Sequence, residues 1–155
     1  MINAKEFLDH GKYVPRDICL KSGKRKVPSF TFARKISPKH GGREITYEVI
    51  DNPSTHCKAS NDWNRIVAVI PQGAAWQFKK WKYENPVDIF TRSLGYYIGM
   101  DGAPPPKELM TWNVKRGTLH RDKRGMDSVT YAGFWNSLDE WMAVHKREYF
   151  LVKEN

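Results

Sequence analysis

The chain has 155 residues, a formal net charge of +9, 40% hydrophobic and 13% aromatic residues, a composition that fits one globular domain and is too short for two well-packed cores. No apolar run is long enough for a helical membrane span and no secretory signal is visible. The basic excess is mostly amino-terminal: residues 1 to 50 hold 11 Lys/Arg against 5 Asp/Glu, net +6, while residues 51 to 100 carry +2 and residues 101 to 155 carry +1. That points to acidic partners such as nucleic acid, phosphopeptides or acidic tails, although a merely soluble basic surface explains the charge equally well.

In chain order, Asn3 with Glu6 at the capping-box position opens a short helix with Ile2, Phe7 and Leu8 on its apolar side, and Gly11 ends it. Between Pro15 and Pro38 the periodicity fails. Phe30 and Phe32 give one modest alternation among Lys21, Lys24, Arg25, Lys26, Arg34 and Lys35, and the stretch from residue 15 to 42 reads as a mobile basic loop. Its basic patch, Lys24, Arg25, Lys26, Arg34 and Lys35, suits nuclear import or phosphate binding, with a solvated loop as the plainer alternative. After Gly41 and Gly42, Ile45, Tyr47 and Val49 alternate with polar residues as an edge or antiparallel strand does.

The stretch Asn61 to Trp81 organises the rest. Ile66 to Ile70 is an unbroken apolar run, which predicts a strand covered on both faces at the centre of a parallel sheet, with the loop after it as the place for function. There Trp76, Phe78, Trp81 and Tyr83 interleave with Lys79, Lys80 and Lys82, too densely for one packed face to absorb. A short helical segment is expected near Ala74 to Lys80. Asn85, Pro86 and Asp88 start a helix whose buried side is Val87, Phe90 and Leu94 and which Gly95 stops. Tyr96 to Ile98 is the next strand. Pro104 to Pro106 lead into a short helix with Leu109 and Met110, and Trp112 to Leu119 is a further strand. The last helix starts near Asp127 or Ser128 and aligns Tyr131, Trp135, Leu138, Met142 and His145, widened by Phe134 and Trp141; His145 reads as a packed histidine.

Catalytic motifs are missing. No G-x-x-x-x-G-K-[ST] is present and no G-x-G-x-x-G follows a strand, so phosphates have no backbone cradle; Asp122 to Gly125 reads D-x-x-G, common by chance. Serine elbows, paired carboxylates and metalloprotease helices are also absent, so a binding module is expected rather than an enzyme, with no cofactor. His56 beside Cys57 has no second ligand pair at zinc spacing, so no metal is expected, and Cys19 and Cys57 are expected to be reduced.

Asp62, Trp63 and Arg65 lead into Ile66 to Ile70, and Gly73 and Trp76-Gln77-Phe78 follow; Pro86 to Phe90 reads PVDIF, and Phe134, Trp135, Leu138 and Asp139 form a further block. In these motifs the sequence resembles the carboxy-terminal domain of the parafibromin family, a subunit of the polymerase-associated factor complex that accompanies RNA polymerase II. The likeness runs from the first helix to about Lys146. It implies an α/β, Ras-like three-layer domain with a mixed, mostly parallel central sheet and no nucleotide binding. It also implies a non-catalytic nuclear binding module that supports transcription elongation, chromatin association and histone modification. Its partners would be phosphorylated repeats of the polymerase tail or of elongation factors, and other subunits of the complex. Arg65 and Trp76 match positions of the family's surface groove; Lys79, Lys80 and Trp81 join them from composition alone. The family carries a short apolar strand before the first helix, whereas Met1 lies almost on that helix, so a domain lacking that strand, through a fragment or an altered start, is expected; it is read from its length as a single domain, and as monomeric in isolation. The competing reading is a single-stranded nucleic-acid binder whose aromatics stack on bases while its lysines follow the backbone.

Overall fold

The computed structural model describes residues 1–151, which form two compact units, one of residues 1–51 and 131–151, the other of residues 52–130. The class is α/β, with antiparallel pairing in the first unit and parallel pairing in the second.

In the first unit, α1 (Ala4–His10) buries Phe7 and Leu8 and closes on Gly11, whose left-handed φ of 72° lets its N–H reach the Phe7 carbonyl at 2.8 Å. Asn3 sits at the N-cap, but its side chain donates to the Val14 carbonyl instead of accepting from the helix. The stretch read as a mobile loop has structure. It contains α2 (Arg16–Lys21), which buries Cys19, and β1 (Ser29–Lys35), paired antiparallel with β2 (Glu44–Ile50) so that Phe32 lies opposite Tyr47. The two-residue period of Phe30 and Phe32 was the signal for β1, masked by the lysines and arginines around it. Both strands rest on α5 (Asp127–His145), most of which belongs to this unit: Phe32 and Tyr47 meet the Trp135 ring at 5.7 and 5.0 Å. Phe134, Trp135, Leu138 and Met142 are buried, and the Trp135 indole donates to the Leu8 carbonyl at 3.0 Å. His145 is exposed and stacked on Trp141.

The second unit holds a short helix α3 (Pro53–His56), β3 (Ala68–Val69), α4 (Pro86–Arg92), β4 (Leu94–Met100) and β5 (Val114–Leu119). The three strands are parallel in the order β3-β4-β5. The expectation that Ile66 to Ile70 forms the central strand is corrected: only Ala68 and Val69 pair, along the edge of this sheet, and β4 lies in the middle. Arg65 and Ile66 complete a 3-10 turn, and Pro71, with no N–H to give, follows Ile70, so the apolar run is clipped from both ends.

Asn85 caps α4 as expected, accepting from the Val87 N–H at 2.9 Å. The buried side is Ile89 and Phe90, whereas Val87 faces water because it stands in the first turn beside the cap. Gly95 does not stop the helix; α4 ends at Arg92 with Ser93 as its C-cap, and Gly95 lies inside β4. A Cβ there would stand 2.5 Å from Phe90 and 2.6 Å from Val114, so the glycine serves close packing of helix and strand. Leu109, in the short turn after the prolines, is fully buried, while its neighbour Met110 is exposed.

Candidate functional site

The loop that leaves β3 is pinned at several points. Gly73 takes a φ of 103° and lies so close to Pro106 that a Cβ would meet its ring at 2.3 Å. The Ala75 N–H donates to Glu108 Oε2 and the Gln72 N–H to Gln77 Oε1, each at 2.7 Å. Ala75–Phe78 then form one 3-10 turn that sends neighbouring rings in opposite directions. Phe78 is completely buried, against Phe90, Trp112 and Trp81, whereas Trp76 is 71% exposed. With one residue of separation inside a turn of three residues per revolution, two such rings cannot share a face.

Lys79 and Lys80 are exposed, and Lys80 has a left-handed φ of 70°. Its backbone is held on both sides, the N–H donating to Glu84 Oε1 at 2.7 Å and the carbonyl accepting from Ser54 Oγ at 2.8 Å. A lysine in that conformation is strained, and the two bonds hold it there. Beyond this kink Trp81 turns back toward the core, its ring 4.9 Å from Phe78 and 6.3 Å from Trp63.

Trp81, Trp63, Tyr83, Ile66, Val69, Ile89, Arg92 and Ser93 line a recess of the second unit. Of the five groove residues expected from sequence, only Trp81 lines it. Arg65 is exposed at the end of the 3-10 turn Ser60–Arg65, and among the described residues no carboxylate pairs with it. Sequence reasoning missed Trp63, Tyr83 and Arg92 as lining residues. Trp63 and Arg92 stood in no periodic pattern that placed them together, and only the turn at Lys80 brings Trp81 back to Trp63.

The basic patch divides. Lys24, Arg25 and Lys26 are exposed, but Lys24 donates to Glu6 at 3.1 Å, a bond that lowers the Glu6 pKa. Lys35 is exposed on β1. Arg34 leaves the patch altogether: it forms a two-pronged bond with the buried Asp139 at 2.7 and 3.0 Å and lies 4.5 Å over the Trp135 ring. Burial works against the Arg34 charge, and the hydrogen bonds and charge of Asp139 more than offset it, so its pKa is raised. The Ser37 N–H adds a third donor to Asp139 at 3.0 Å, which makes this a structural clamp.

Comparison with known proteins gives one consistent answer. Residues 1–141 match the family model described as RNA pol II accessory factor, Cdc73 family, C-terminal. The chain is 33% identical over 149 residues to Cell division cycle protein 73 of Caenorhabditis elegans, covering 94% of this chain and 27% of that protein. It is 34% identical over 143 residues to Protein CDC73 homolog of Arabidopsis thaliana, and 31% identical over 139 residues to Cell division control protein 73 of Saccharomyces cerevisiae, covering 90% and 89% of this chain and 34% of each relative. The chain therefore spans about a quarter to a third of the length of these relatives. Among solved structures, the conserved domain of yeast Cdc73 superimposes with a TM-score of 0.81 at 29% identity, over 96% of this chain and 89% of that one, and the shared architecture is Ras-like.

Proposed function

The chain belongs to the Cdc73 family of RNA polymerase II accessory factors, in the region of its C-terminal domain, and from that premise we propose that it is a non-catalytic nuclear binding module that recognises phosphorylated Ser-Pro repeats. The repeats are those of the polymerase tail or of elongation factors. Holding them keeps the polymerase-associated factor complex on transcribed chromatin and so supports histone modification. Arg65 supplies a planar fork for phosphate oxygens and Trp76 an apolar wall for proline, with Lys79 and Lys80 adding positive potential.

The observation that carries this reading is the exposure of Trp76, 71%, in a loop held by backbone hydrogen bonds. Tryptophan is a residue that folding normally covers, and here the loop is built to keep it out. The test is alanine replacement of Arg65 and of Trp76, with peptide binding and melting measured on the same samples. Each variant is expected to weaken binding of a phosphorylated Ser-Pro peptide while changing stability by no more than about 0.5 kcal/mol. A folded double variant that binds as the parent does removes this pair. Displacement by single-stranded RNA, with the phosphopeptide inert, would favour a nucleic-acid surface made of the same aromatics and lysines.

A further inference from the structure

In the first unit the chain folds back on itself after α5. The 3-10 turn Arg147–Tyr149 follows the helix, and Arg43 donates to the carbonyls of Tyr149 and Leu151, which ties this turn to the one at Pro38–His40. The His40 ring stacks on Phe150, with 5.8 Å between centres and 28° between planes, while its Nε2 lies 3.1 Å from Glu140 Oε1. Between the two turns and Ala143 of α5 runs an open groove of about 300 Å³, lined by His40, Ala143, Arg147, Phe150 and Leu151. That is the lower edge of small-molecule sites, roughly 300 to 1,000 Å³, and an open groove of this size suits a side chain or two of an extended segment.

The chemistry of the groove selects among occupants. Phe150, half-buried, and Leu151, 60% exposed, together give it an apolar floor. Its rim is basic: Arg147 is exposed, and among the described residues no carboxylate pairs with it. The nearby Glu140 is already answered, because bonds from Lys39 first and His40 second lower its pKa. Residues 38–43 and 147–151 carry Lys39, Arg43 and Arg147 against Glu148, and adding Glu140 from α5 still leaves positive charge in excess. The same unit holds residues 1–50 with their net charge of +6, which attracts acidic chains before contact. One free guanidinium matches a single carboxylate, whereas a doubly charged phosphate calls for a second free cation, and Lys39 and Arg43 are both bonded already. A nucleobase stacks on open aromatic faces, but His40 already occupies the Phe150 ring and the other apolar walls are aliphatic.

We propose that this groove binds an acidic segment of a partner protein, an aliphatic or aromatic side chain packing on Phe150 and Leu151 while a neighbouring Asp or Glu pairs with the Arg147 fork. The proposal is independent of the phosphorylated-repeat reading. Its residues belong to the first unit and those of the Arg65 and Trp76 site to the second, and its partner needs no phosphate.

A panel of synthetic peptides tests it, each with an Asp or Glu close to a Leu, Ile or Phe, added to the whole chain beside counterparts in which Asn or Gln replaces the acid. Members of the panel are expected to shift the His40 and Phe150 ring signals in nuclear magnetic resonance spectra, and their counterparts to leave them in place. Arg147→Gln is expected to weaken the tightest member by about tenfold or more, the scale of a lost charge-assisted bond, and Arg147→Lys, which keeps the charge without the fork, by less. Leu151→Ser is expected to weaken it through the apolar floor, and Arg65→Ala and Trp76→Ala to leave it unchanged. Arg147 and Leu151 are exposed, so unchanged melting curves show that the fold is intact. Still ring signals across the whole panel, or full affinity in both Arg147→Gln and Leu151→Ser, overturn the groove. Counterparts that bind as well as the acids overturn the acidic partner. A phosphopeptide or single-stranded RNA that shifts the same rings and binds more tightly than every acidic peptide overturns the choice of ligand. Binding that appears only in a chain ended after Leu151 assigns the groove to the chain's own last residues and overturns the proposal.

Discussion

Each unit places an arginine over an aromatic ring, and the two arrangements differ in what completes them. In the first, Arg34 covers Trp135 and is closed by Asp139, a carboxylate 1% exposed that receives both prongs of the guanidinium and a backbone N–H. In the second, Arg92 covers Tyr83 with no carboxylate paired to it among the described residues. A buried guanidinium must carry its own counter-charge, because solvent cannot supply one. An exposed guanidinium has no such need, and its free fork is available to a partner. An arginine over an aromatic ring is therefore architecture in one unit and a candidate for recognition in the other.

Breaking the closed arrangement should have the largest effect. Asp139→Ala strands the Arg34 charge, which is 16% exposed, and is expected to cost about 3 to 5 kcal/mol, read as a fall in the denaturation midpoint. A loss no larger than that of an ordinary surface replacement would show that Arg34 finds water instead and that the two arginines are alike.

The contrast between covered and offered rings is next. Phe78→Ala empties the middle of the second unit's core, where Phe78 touches Trp81, Phe90 and Trp112, and is expected to cost about 3 to 5 kcal/mol. The residue two places earlier, Trp76, should tolerate alanine without measurable unfolding. Equal losses at both positions, measured by chemical denaturation, would mean that Trp76 is packed in solution.

Gly73→Ala is expected to have an intermediate effect of about 1 to 3 kcal/mol, because the new Cβ meets the Pro106 ring at 2.3 Å and the φ of 103° disfavours any side chain. Faster proton exchange at the Ala75 N–H, which Glu108 now accepts, would show that this glycine sets the loop that presents Trp76. Unchanged exchange in a destabilised variant would separate the loop's geometry from the fold's stability.

The smallest effect is absent at neutral pH. Burial pushes the Tyr47 hydroxyl up to about 12 from its ordinary 10.0. The unfolded chain thus releases this proton at lower pH than the folded one, and the Tyr47 contribution, fully present below pH 10, is lost as pH rises toward 12. Tyr47→Phe removes the titrating group and should flatten the alkaline limb of stability against pH. An alkaline limb identical in both proteins would assign the loss to other groups.

Much of the local structure was legible in the residues. Asn85 and Pro86 marked the start of α4 because a capping side chain and a fixed φ act within one turn, and Gly11 marked the end of α1 because only a left-handed residue closes that helix so. The alternation of Ile45, Tyr47 and Val49 gave β2, and the long stripe through Trp135, Leu138 and Met142 gave α5. Errors gathered where pairing partners decide. Ile66 to Ile70 looked central because hydrophobicity measures covering, while a strand's place in a sheet depends on which neighbours accept its hydrogen bonds. Arg34 looked like part of a basic patch because its partner, Asp139, lies more than a hundred residues away in sequence.

By itself the sequence determined the α/β class, the family, the absence of a phosphate-cradling motif and the prominence of the segment from Arg65 to Trp81, since each depends on neighbouring residues or on a recognisable order of them. Only the tertiary structure decided which aromatic rings are covered, which arginine has a counter-charge, and that the strained backbone at Lys80 turns Trp81 back toward Trp63. Exposure and charge pairing are set by what the distant parts of the chain bring to a residue, and no local pattern records that.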